Sequence, residues 1–577
     1  MRFDDVWPSR LGDPSDRTER LHGVPSMQLQ AEGLEIPSHE LVARRSGPLY
    51  GVHSYHTKIP PEAIAGFILD NTEPGDTVLD VFCGSGMTGV ATSMVGRRAI
   101  LNDLSPAAVH IAGNYTTPCD PRAFEAAVGR VLMDVGDEVA ALYATHHEGR
   151  PAQIEYLVWS DIRRCPMCAT DLVLWDHRET GLRNICCSTC GHRATKAKLA
   201  LVGETAVEAN LSASGRQRVV REVASDDLRP DLQVDDLPWY PRTSFDASRP
   251  MWRRGHDDLG IRSVADFYSS RNLAALSLLW DAASRESDDR LRSALRFSLT
   301  AIANRASRRY QWNAKRPTNV LGGTLYISSL RYEWNVLSLW KRKTRAVAKL
   351  FGSGVARPDV VTVLQGSATA LPLRDESIDY CFTDPPFGSH IVYSDVSLLW
   401  EAWLDDLTDR SSEAIVVRSG DKPKTVDNYG DLLRAAFGEV RRVLKPDGRA
   451  TVVFQASDPT TWSAVYDAAV GAGLSFADAT TLNKGQPSFK QVKGQQAGEM
   501  VAETDVVLTF SRQPTTQRLA PVINPEEAVR SSVAAATRVQ GRVTAGAIFA
   551  DVNARLLRGS ARPVGLREVH DILQRQL

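Results

Sequence analysis

The sequence predicts an α/β fold in which a Rossmann-like, doubly wound sheet is interrupted by a long insertion. Two apolar strands end in motifs that carry chemistry: one, at 77–80, runs into a glycine loop, and the other, at 378–383, ends in Asp-Pro-Pro-Phe. Between them lie four cysteines in two close pairs, which predict a small metal-stabilised ribbon. Because 577 residues are too many for one core, we expect about two to four folding units.

Composition sets limits on the class of protein. Apolar residues make up 43% of the chain and charged residues 24%, which is typical of an ordinary globular protein. The formal net charge of −1 excludes a general attraction to nucleic acid, so such a site must be a local positive surface. No apolar run approaches the roughly 20 residues that cross a membrane, and the polar start does not resemble a signal peptide. We therefore expect a cytoplasmic protein that does not bind membranes.

The segment 77–89 has the layout of a nucleotide-type cofactor site: a short apolar strand, a glycine loop and the start of a helix. Gly84 and Gly86 permit positive φ angles and let a ligand approach the backbone, while the helix start near Thr88 supplies free N–H groups. The next predicted strand ends in Asp103, about twenty residues beyond the loop, where a carboxylate can accept hydrogen bonds from ribose hydroxyls. This spacing fits a βαβ unit.

The same loop leaves two alternatives open. Gly84, Gly86 and Gly89 also satisfy the dinucleotide fingerprint, so an NAD-linked oxidoreductase must be considered, as must a glycine turn that binds nothing. Asp80 argues for another cofactor, because a carboxylate at the end of this strand disfavours a pyrophosphate and favours the cationic groups of S-adenosylmethionine. The motif therefore favours a methyl donor.

The turn at 384–387 offers hydrogen-bond acceptors to an amino group. Pro385 and Pro386 fix φ and remove two backbone donors, which leaves carbonyl oxygens and the Asp384 carboxylate beside the aromatic ring of Phe387. A planar exocyclic amine fits such a pocket. Taken alone, a strand that ends in Asp-Pro-Pro is more often a plain turn, and the glycine motif reverses that preference.

Together, these motifs resemble the amino-group DNA methyltransferases, most closely the adenine-specific DNA methylases that carry a zinc ribbon. The resemblance extends from about residue 55 to about residue 512. The matching segments are the cofactor loop at 80–89, the ribose-binding strand end at 101–106, the upstream cofactor motif at 55–60, the helix after the catalytic turn at 393–400 with 403–404, and a strand lead-in at 443–448.

The resemblance implies transfer of a methyl group from S-adenosylmethionine to the N6 amine of adenine in DNA, by direct attack on a flipped base. Asp384 would orient the amine, the Pro385 carbonyl would accept its second proton, and Phe387 would stack on the base. The predicted cofactor contacts are Lys58, Asp80, Phe82, Cys83, Gly84, Ser85, Gly86, Thr88, Asp103 and Ser367. Ser367 departs from the family pattern, since many relatives have an acid there, and it is equally explained as a strand-end cap.

Four cysteines form the metal motif. Cys165 and Cys168 are followed by Cys187 and Cys190, a spacing typical of a zinc ribbon, with a ribbon strand predicted at 172–175. Disulfides are the alternative, which the absence of an export signal disfavours. Four thiolates leave no open coordination position, so the predicted Zn²⁺ is structural. The neighbouring Cys186 is expected to be at most a substitute ligand.

A different nucleophile must also be considered. Pro118-Cys119 resembles the Pro-Cys dipeptide of cytosine C5 methyltransferases, whose thiolate attacks the base. The position after the fourth strand is already occupied by the turn at 384–387, so we disfavour this alternative.

The anchors divide the chain as follows: an N-terminal arm at 1–45, a first methyltransferase half at 46–117, an insertion at 118–357 with a zinc ribbon at about 160–200 and a helical target-recognition region at about 260–350, a second half at 358–512, and a helical extension at 513–577. Strands of the second half are predicted at 360–364, 378–382, 449–454, 474–479 and 505–510. Residues 214–258 are predicted to be loops or an exposed extension.

Two segments are candidate DNA contacts. The stretch 305–316 is basic and includes Tyr310 and Trp312, so it could pair with phosphates and stack on bases, although a solvated helix face explains it equally well. The segment 485–493 could reach the DNA, or it is a plain hairpin loop.

The expected partner is double-stranded DNA with its target base flipped, and restriction or phage-defence proteins are candidate partners. Other planar amines remain alternatives as acceptors: cytosine N4, guanine N2 in RNA, or a glutamine side chain. A catalytically silent, zinc-dependent nucleic-acid-binding protein is the alternative from another class.

Overall fold

The computed structural model describes residues 49–179, 181–182, 184–213, 218–228, 233–313, 320–388, 391–454, 459–483, 504–514, 523–536, 545–559 and 561–576. The predictions for the arm at 1–45, for the loop at 485–493 and for residues 314–316 of the basic stretch lie outside these residues.

The strands, in chain order, are β1 Thr77–Asp80, β2 Arg98–Asp103, β3 Ala144–His147, β4 Arg150–Arg164, β5 Asp171–Val173, β6 Asn184–Cys186, β7 Arg193–Thr195, β8 Ala200–Ser212, β9 Arg218–Arg221, β10 Leu330–Trp334, β11 Val361–Gln365, β12 Ile378–Thr383, β13 Leu444–Phe454, β14 Ser475–Asn483 and β15 Thr504–Ser511. The helices are α1 Pro61–Asn71, α2 Met87–Met94, α3 Pro106–Thr116, α4 Pro121–Ala141, α5 Arg254–Asp258, α6 Ser270–Ser284, α7 Asp289–Ala306, α8 Val336–Phe351, α9 Tyr393–Val396, α10 Leu398–Leu404, α11 Val426–Val443, α12 Pro459–Gly471, α13 Pro525–Ala536, α14 Ala545–Arg558 and α15 Leu566–Gln576.

The described residues form two compact units. The sheet unit comprises 49–118, 353–396 and 406–577, and the insertion unit comprises 119–352 and 397–405. The short segment 397–405, which carries α10, was predicted as part of the second methyltransferase half. It belongs to the insertion unit because Trp403 packs there on Trp239, Trp280 and Tyr268.

The sheet unit contains, among its described residues, seven strands in the order β11-β2-β1-β12-β13-β15-β14. The strands from β11 to β13 pair in parallel, while β15 runs antiparallel to both of its neighbours. The strand order reverses between β1 and β12, and ligands of doubly wound sheets bind outside the carboxyl ends of the strands at such a point. The predicted α/β class with a Rossmann-like sheet is confirmed.

Strand pairing brings two distant segments together. Val78 of β1 pairs with Tyr380 of β12, and Leu79 pairs with Cys381. Because the two strands are parallel neighbours, the glycine loop after β1 and the turn after β12 leave the sheet at the same edge. The insertion therefore leaves and rejoins one sheet, as expected.

Local sequence explains how the site-bearing helices begin. Gly86 has φ +76° and stands at the N-cap of α2, where an L side chain would be strained. Ser105 caps α3 by accepting a hydrogen bond from the Ala108 N–H, and Pro106 occupies its first turn, where no donor is lost.

The insertion unit is built on a second sheet with the order β10-β4-β8-β9, to which β3 and β5 add on β4. The prediction of a ribbon strand at 172–175 is only partly correct. Only Asp171–Val173 is a strand, and it pairs with β4, while Leu174–His177 forms a 3₁₀ turn. The hairpin beside the cysteines is β6 with β7 instead.

The described part of 214–258 is not only loop, in contrast to the prediction, because it contains β9 and α5. Phe245 is fully buried, with its ring edge to face against His256 and Phe267. The few aromatic residues of this polar, proline-containing stretch are not periodically spaced, so the burial of Phe245 was not visible in the sequence.

The basic stretch at 305–316 does not present its aromatic rings as predicted. Tyr310 is 7% exposed and packs on Tyr332, while Trp312 packs on Trp175. Arg309 is 3% exposed and donates to the carbonyl of Thr324. Tyr310 and Arg309 therefore belong to the interior of the insertion unit, while Trp312 is half-buried against Trp175.

The helices α13, α14 and α15 form the helical extension predicted at 513–577. Their apolar faces share a core that includes Val529, Phe549, Val552 and Ile572. Among the residues that the structure describes, we find no helix long and apolar enough to cross a membrane.

Candidate active site and cysteine cluster

A cavity opens in the sheet unit at the edge where β1 and β12 end. Of the residues predicted to bind the cofactor or to act in catalysis, those that line it are Lys58, Asp80, Phe82, Cys83, Gly84, Ser85, Thr88, Asp103, Ser367, Asp384 and Pro386. Gly86, Pro385 and Phe387 lie in the same loops but are not lining residues. Strand pairing thus brings most of the two predicted sets into one space.

Asp80 links three parts of the site. Its carboxylate is 3% exposed and accepts hydrogen bonds from the hydroxyls of Thr88 at 2.6 Å and Thr383 at 2.8 Å. The Phe82 N–H adds a third donor at 3.2 Å. Burial raises the pKa of Asp80 to about 6, against the opposing effect of these donors.

Asp103 closes the glycine loop from the end of β2. One oxygen accepts the Gly84 N–H at 2.8 Å, and the other accepts the Ser105 N–H at 2.9 Å. Burial raises the pKa of this carboxyl to about 6 as well. Each carboxylate oxygen has a second lone pair, so ribose hydroxyls could still be bound.

The loop glycines are required by space as well as by φ. A Cβ built on Gly86 would lie 2.6 Å from the Cβ of Ala112, and one built on Gly84 would lie 2.8 Å from the ring of Tyr55. Gly84 also has a φ of +50°. Glycine here holds α3 and the Tyr55 ring against the loop.

Lys58 lines the cavity, and its ammonium is bound by acceptors of the protein itself. Its ammonium donates to the carbonyls of Tyr50 at 3.1 Å and His53 at 2.7 Å, and to the hydroxyl of Tyr115 at 3.2 Å. An ammonium has three protons, so these bonds leave none for a cofactor. Lys58 therefore holds the segment in front of the cavity, and the signal for this role, a lysine among aromatic residues, was ambiguous in the sequence.

Ser367 lies at the cavity wall just beyond β11. Its hydroxyl is 2.8 Å from the Thr369 hydroxyl and accepts the Thr369 N–H at 3.3 Å. This is the geometry of a strand-end cap. The position still borders the cavity, so both interpretations of this residue remain compatible with the structure.

The turn at 384–387 follows β12 directly. Asp384 lines the cavity. The carbonyl of Pro386 accepts hydrogen bonds from the Tyr429 hydroxyl at 2.7 Å and from the Gly388 N–H at 3.0 Å. The turn is thereby attached to α11.

Phe387 does not stand where a stacking ring was predicted. Its side chain is 8% exposed and its ring packs edge to face on Phe454, at 5.6 Å between centroids. The ring belongs to the core beneath the turn. An aromatic residue after Asp-Pro-Pro has the same sequence signal whether its ring faces a ligand or the core, so the sequence could not distinguish these cases.

Several lining residues were missed as site residues. Tyr55, Thr57 and Tyr393 line the cavity, and all three lie inside the segments 55–60 and 393–400, which were recognised only as segments. Glu413 is 5% exposed, and its carboxylate accepts the N–H of Ser394 at 3.0 Å and the hydroxyl of the same residue at 2.6 Å. Burial raises its pKa. No motif marked this carboxylate.

The charges of the lining favour a cationic ligand. The acidic residues that line the cavity are Asp80, Asp103, Asp384 and Glu413, and the buried ammonium of Lys58 already has protein acceptors. An anionic pyrophosphate would be repelled by this set, whereas a sulfonium with an α-amino group would be attracted. The lining residues therefore fit the predicted methyl donor better than a dinucleotide.

The four cysteines of the ribbon converge in the insertion unit. The Sγ atoms of Cys165, Cys168, Cys187 and Cys190 all lie within 4.8 Å of one another. Each Cys-x-x-Cys is followed by a residue in the left-handed region, Ala169 at φ +57° and Gly191 at φ +71°. Each knuckle also closes on its first cysteine carbonyl, which accepts the N–H of Ala169 at 3.0 Å or of Gly191 at 2.9 Å.

The sulfur spacing fits a tetrahedral metal site. The Sγ atoms of Cys165 and Cys190 are 3.7 Å apart, and those of Cys168 and Cys187 are 3.5 Å apart. A Zn²⁺ bound at about 2.3 Å by four thiolates separates them by about 3.8 Å. Cys186 lies outside the group, with its Sγ 3.6 Å from the carbonyl of Gly191.

Cys119 lacks the features of a nucleophile. Burial raises the pKa of its thiol, which disfavours the thiolate at neutral pH.

Comparison with known proteins adds a family match. Residues 2–114 match the family model N6_N4_Mtase, described as DNA methylase. This segment includes the glycine loop and Asp103 and ends before the catalytic turn. No curated protein matches the chain.

The chain is also similar to parts of solved structures. A chain from the Haloferax volcanii complex of the Trm112 methyltransferase activator with a methyltransferase aligns at 12% identity over 31% of this chain and 69% of that chain, with a TM-score of 0.17. An S-adenosylmethionine-dependent methyltransferase of Thermotoga maritima aligns at 17% identity over 30% and 70%, with a TM-score of 0.14. A protein of Thermus thermophilus named as a DNA modification methylase aligns at 14% identity over 29% and 60%, with a TM-score of 0.16.

TM-scores this low carry no weight, so the fold assignment rests on the strand order of the chain itself. The match of residues 2–114 to the DNA methylase family model covers less than half of the chain, so it shows a likeness in the part that carries the glycine loop.

Proposed function

We propose that this protein transfers a methyl group from S-adenosylmethionine to the N6 amine of adenine in DNA. The observation that carries the proposal is the pairing of β1 with β12, which brings Asp80 and Asp384 to one cavity from positions about three hundred residues apart. The family match of residues 2–114 supports the class of reaction.

Donor binding is assigned to the loop after β1 and the end of β2. Asp103 would accept hydrogen bonds from ribose hydroxyls, and Asp80 with the other acidic lining residues would attract the cationic groups. Gly84 keeps the backbone free of a side chain where the donor approaches. When bound, S-adenosylmethionine supplies an electrophilic methyl group.

Acceptor binding is assigned to the turn. The Asp384 carboxylate accepts a hydrogen bond from one N–H of the amine, and the Pro385 carbonyl accepts a hydrogen bond from the other. These two bonds direct the nitrogen lone pair towards the methyl group. The amine nitrogen would form a bond to the methyl carbon as the carbon–sulfur bond breaks and its electron pair goes to sulfur. The proton that nitrogen then loses would pass to the Asp384 carboxylate and from there to solvent. No covalent bond to the protein is needed.

Methylation requires that the target base is flipped out of the DNA helix, because the amine of a paired adenine cannot enter the cavity at the ends of β1 and β12. We assign DNA contacts to the insertion unit, where the four cysteines are proposed to hold a structural Zn²⁺. Tyr310, which is buried, is no longer part of this assignment.

The test is incubation of the purified chain with S-adenosylmethionine carrying a labelled methyl group and with DNA, RNA and protein substrates in parallel. Mass spectrometry of the digested products then identifies the methylated position. We expect N6-methyladenine in DNA, and loss of at least about 10²-fold in rate for Asp384→Asn, because the amide no longer accepts on both sides.

Asp447→Asn is the matched control, since it makes the same change at an exposed carboxylate of the sheet unit. Label on cytosine N4, or only in RNA or protein, would replace the adenine assignment with that acceptor. Donor binding without transfer to any substrate would favour a silent binding protein, and nicotinamide-dependent turnover would favour the oxidoreductase.

A further inference from the structure

Two buried hydroxyls flank the catalytic turn. Thr383, the residue before Asp384, is 1% exposed and donates to the carboxylate of Asp80 at 2.8 Å. The same carboxylate accepts the hydroxyl of Thr88 from the first turn of α2. The end of β12 is therefore bonded to the part of the loop that is assigned to the methyl donor.

The other side of the turn is bonded to α11. Tyr429 is fully buried, and its hydroxyl donates to the carbonyl of Pro386 at 2.7 Å. The Gly388 N–H binds the same carbonyl at 3.0 Å. Two donors on one oxygen fix the orientation of that peptide plane, since a carbonyl has two lone pairs.

We infer that Thr383 and Tyr429 are positioning residues that hold the Asp384-Pro385 dipeptide at both ends for methyl transfer. The inference rests on the proposed function. Neither side chain lines the cavity, so neither touches a substrate, and each acts through its neighbour in the chain. Because Thr383 and the donor loop both bind the Asp80 carboxylate, that carboxylate helps to position Asp384 as well as the loop.

These two hydroxyls matter because methyl transfer tolerates little displacement of the reacting groups. Proline removes the backbone N–H of residues 385 and 386, so the turn has fewer internal hydrogen bonds to define it than an ordinary turn. A displacement of about 1 Å at the reacting groups can lower a rate about 10²-fold. Hydroxyl donors outside the turn supply the missing constraint.

The two hydroxyls should differ in what they control. Removing the Tyr429 hydroxyl releases only the Pro386 peptide plane, so donor binding should be unchanged. Removing the Thr383 hydroxyl also takes one of the donors from Asp80, so donor binding should weaken as well. This difference separates positioning of the turn from a general loss of structure.

The experiment compares the variants Tyr429→Phe, Thr383→Val and Thr383→Ser with the full-length wild-type chain. Tyr466→Phe is the control, because it removes a hydroxyl in the sheet unit from a ring that packs on Phe476 and Phe510 and does not line the cavity. S-adenosylmethionine affinity is measured by calorimetry. The stoichiometry of the same titration gives the number of competent sites, which are the protein molecules able to bind the donor. The kcat per competent site and the KM for DNA are then measured with labelled donor.

We expect kcat per competent site to fall about tenfold to a hundredfold in Tyr429→Phe and Thr383→Val, with KM for DNA within about twofold. Donor affinity should fall only in Thr383→Val, and Thr383→Ser should restore both quantities. Tyr466→Phe should match the wild type.

Unchanged kcat per competent site in Tyr429→Phe and Thr383→Val would overturn the inference while leaving the proposed function intact. A lower number of competent sites with normal kcat would also overturn it, since that is the result of a merely structural role. A wild-type chain that transfers no methyl group to any substrate would overturn the proposed function, and this inference with it.

Discussion

The backbone N–H of Gly84 donates a hydrogen bond of 2.8 Å to the carboxylate of Asp103. This bond joins the loop after β1 to the end of β2, so two segments that would bind different parts of one ligand are held as a unit. Burial of the same carboxylate makes its ionisation sensitive to pH near neutrality.

Donor affinity should therefore depend on pH. Burial raises the pKa of Asp80 and of Asp103 to about 6, and only the ionised forms attract a cationic ligand. We expect S-adenosylmethionine affinity to fall as pH decreases from about 8 through about 6, measured by calorimetry. Asp103→Asn should bind more weakly than the wild type at the upper end of this range and show a shallower dependence; a dependence parallel to that of the wild type would contradict this assignment.

The same groups should affect stability in the opposite sense. Each carboxyl binds its proton more tightly in the folded state, at a pKa of about 6, than at the ordinary value of 3.8. The stabilisation from protonation is fully present below about pH 4 and is lost as pH rises through about 6. We expect Asp103→Asn to lose this part of the pH dependence in urea unfolding of the sheet unit, and an unchanged profile would contradict it.

Gly86→Ala should destabilise the sheet unit and abolish donor binding. The new Cβ would lie 2.6 Å from the Ala112 Cβ at a position with φ +76°. Gly96→Ala is the matched control, because Gly96 has φ +69° and a Cβ added there would meet no heavy atom within 4 Å. The control should lose about 1–2 kcal/mol in urea unfolding, from backbone strain alone, and Gly86→Ala should lose clearly more. Equal losses would show that the contact with α3 is not significant.

The cysteine cluster should bind one metal ion that stabilises the insertion unit. We expect Cys187→Ser to lose bound zinc and to lower the temperature at which this unit unfolds, because a structural zinc contributes directly to folding. Cys186→Ser is the control and should retain its metal. Elemental analysis and calorimetry measure both effects, and wild-type protein that unfolds at the same temperature after chelation would rule out a structural metal.

A buried ion pair in the insertion unit should contribute strongly to its stability. Arg331 and Asp161 both have side chains that are 2% exposed, and their atoms Nη1 and Oδ1 lie 3.0 Å apart. Arg331→Met removes this partner, while Asp161 keeps Arg163 at 2.9 Å. The loss should therefore be smaller than the about 3–5 kcal/mol that a wholly unpaired buried charge costs, but well above that of an exposed pair.

The comparison is an exposed pair in the sheet unit, Arg434 with Asp431, whose side chains are 52% and 68% exposed. Arg434→Met should change the free energy of unfolding by about 0.5 kcal/mol or less, because solvent screens the pair. Urea unfolding measures both variants, and similar losses would contradict the assigned difference.

Local chemistry was visible in the sequence. The glycine loop at 80–89, the turn at 384–387 and the two Cys-x-x-Cys pairs were found because each depends on residue types at short, fixed spacing. The strands of the second half were found for the same reason, with β11 and β12 starting within one residue of their predicted positions.

Side-chain direction was not visible in the same way. Phe387 and Tyr310 were predicted to face ligands, and both rings pack in cores instead. Lys58 was predicted to bind the cofactor, and its ammonium binds three protein acceptors. An aromatic or basic residue has the same local sequence pattern whether its side chain faces a ligand or packs within the protein. Residues distant in the sequence decide which of the two occurs.

The sequence by itself determined which residue types could bind a methyl donor, an amine and a metal, because those requirements are local. Only the tertiary structure decided that Asp80 and Asp384 border one cavity, since the strands that carry them pair across an insertion of more than two hundred residues. Strand order is set by burial and hydrogen bonding over the whole sheet, and no short pattern records it.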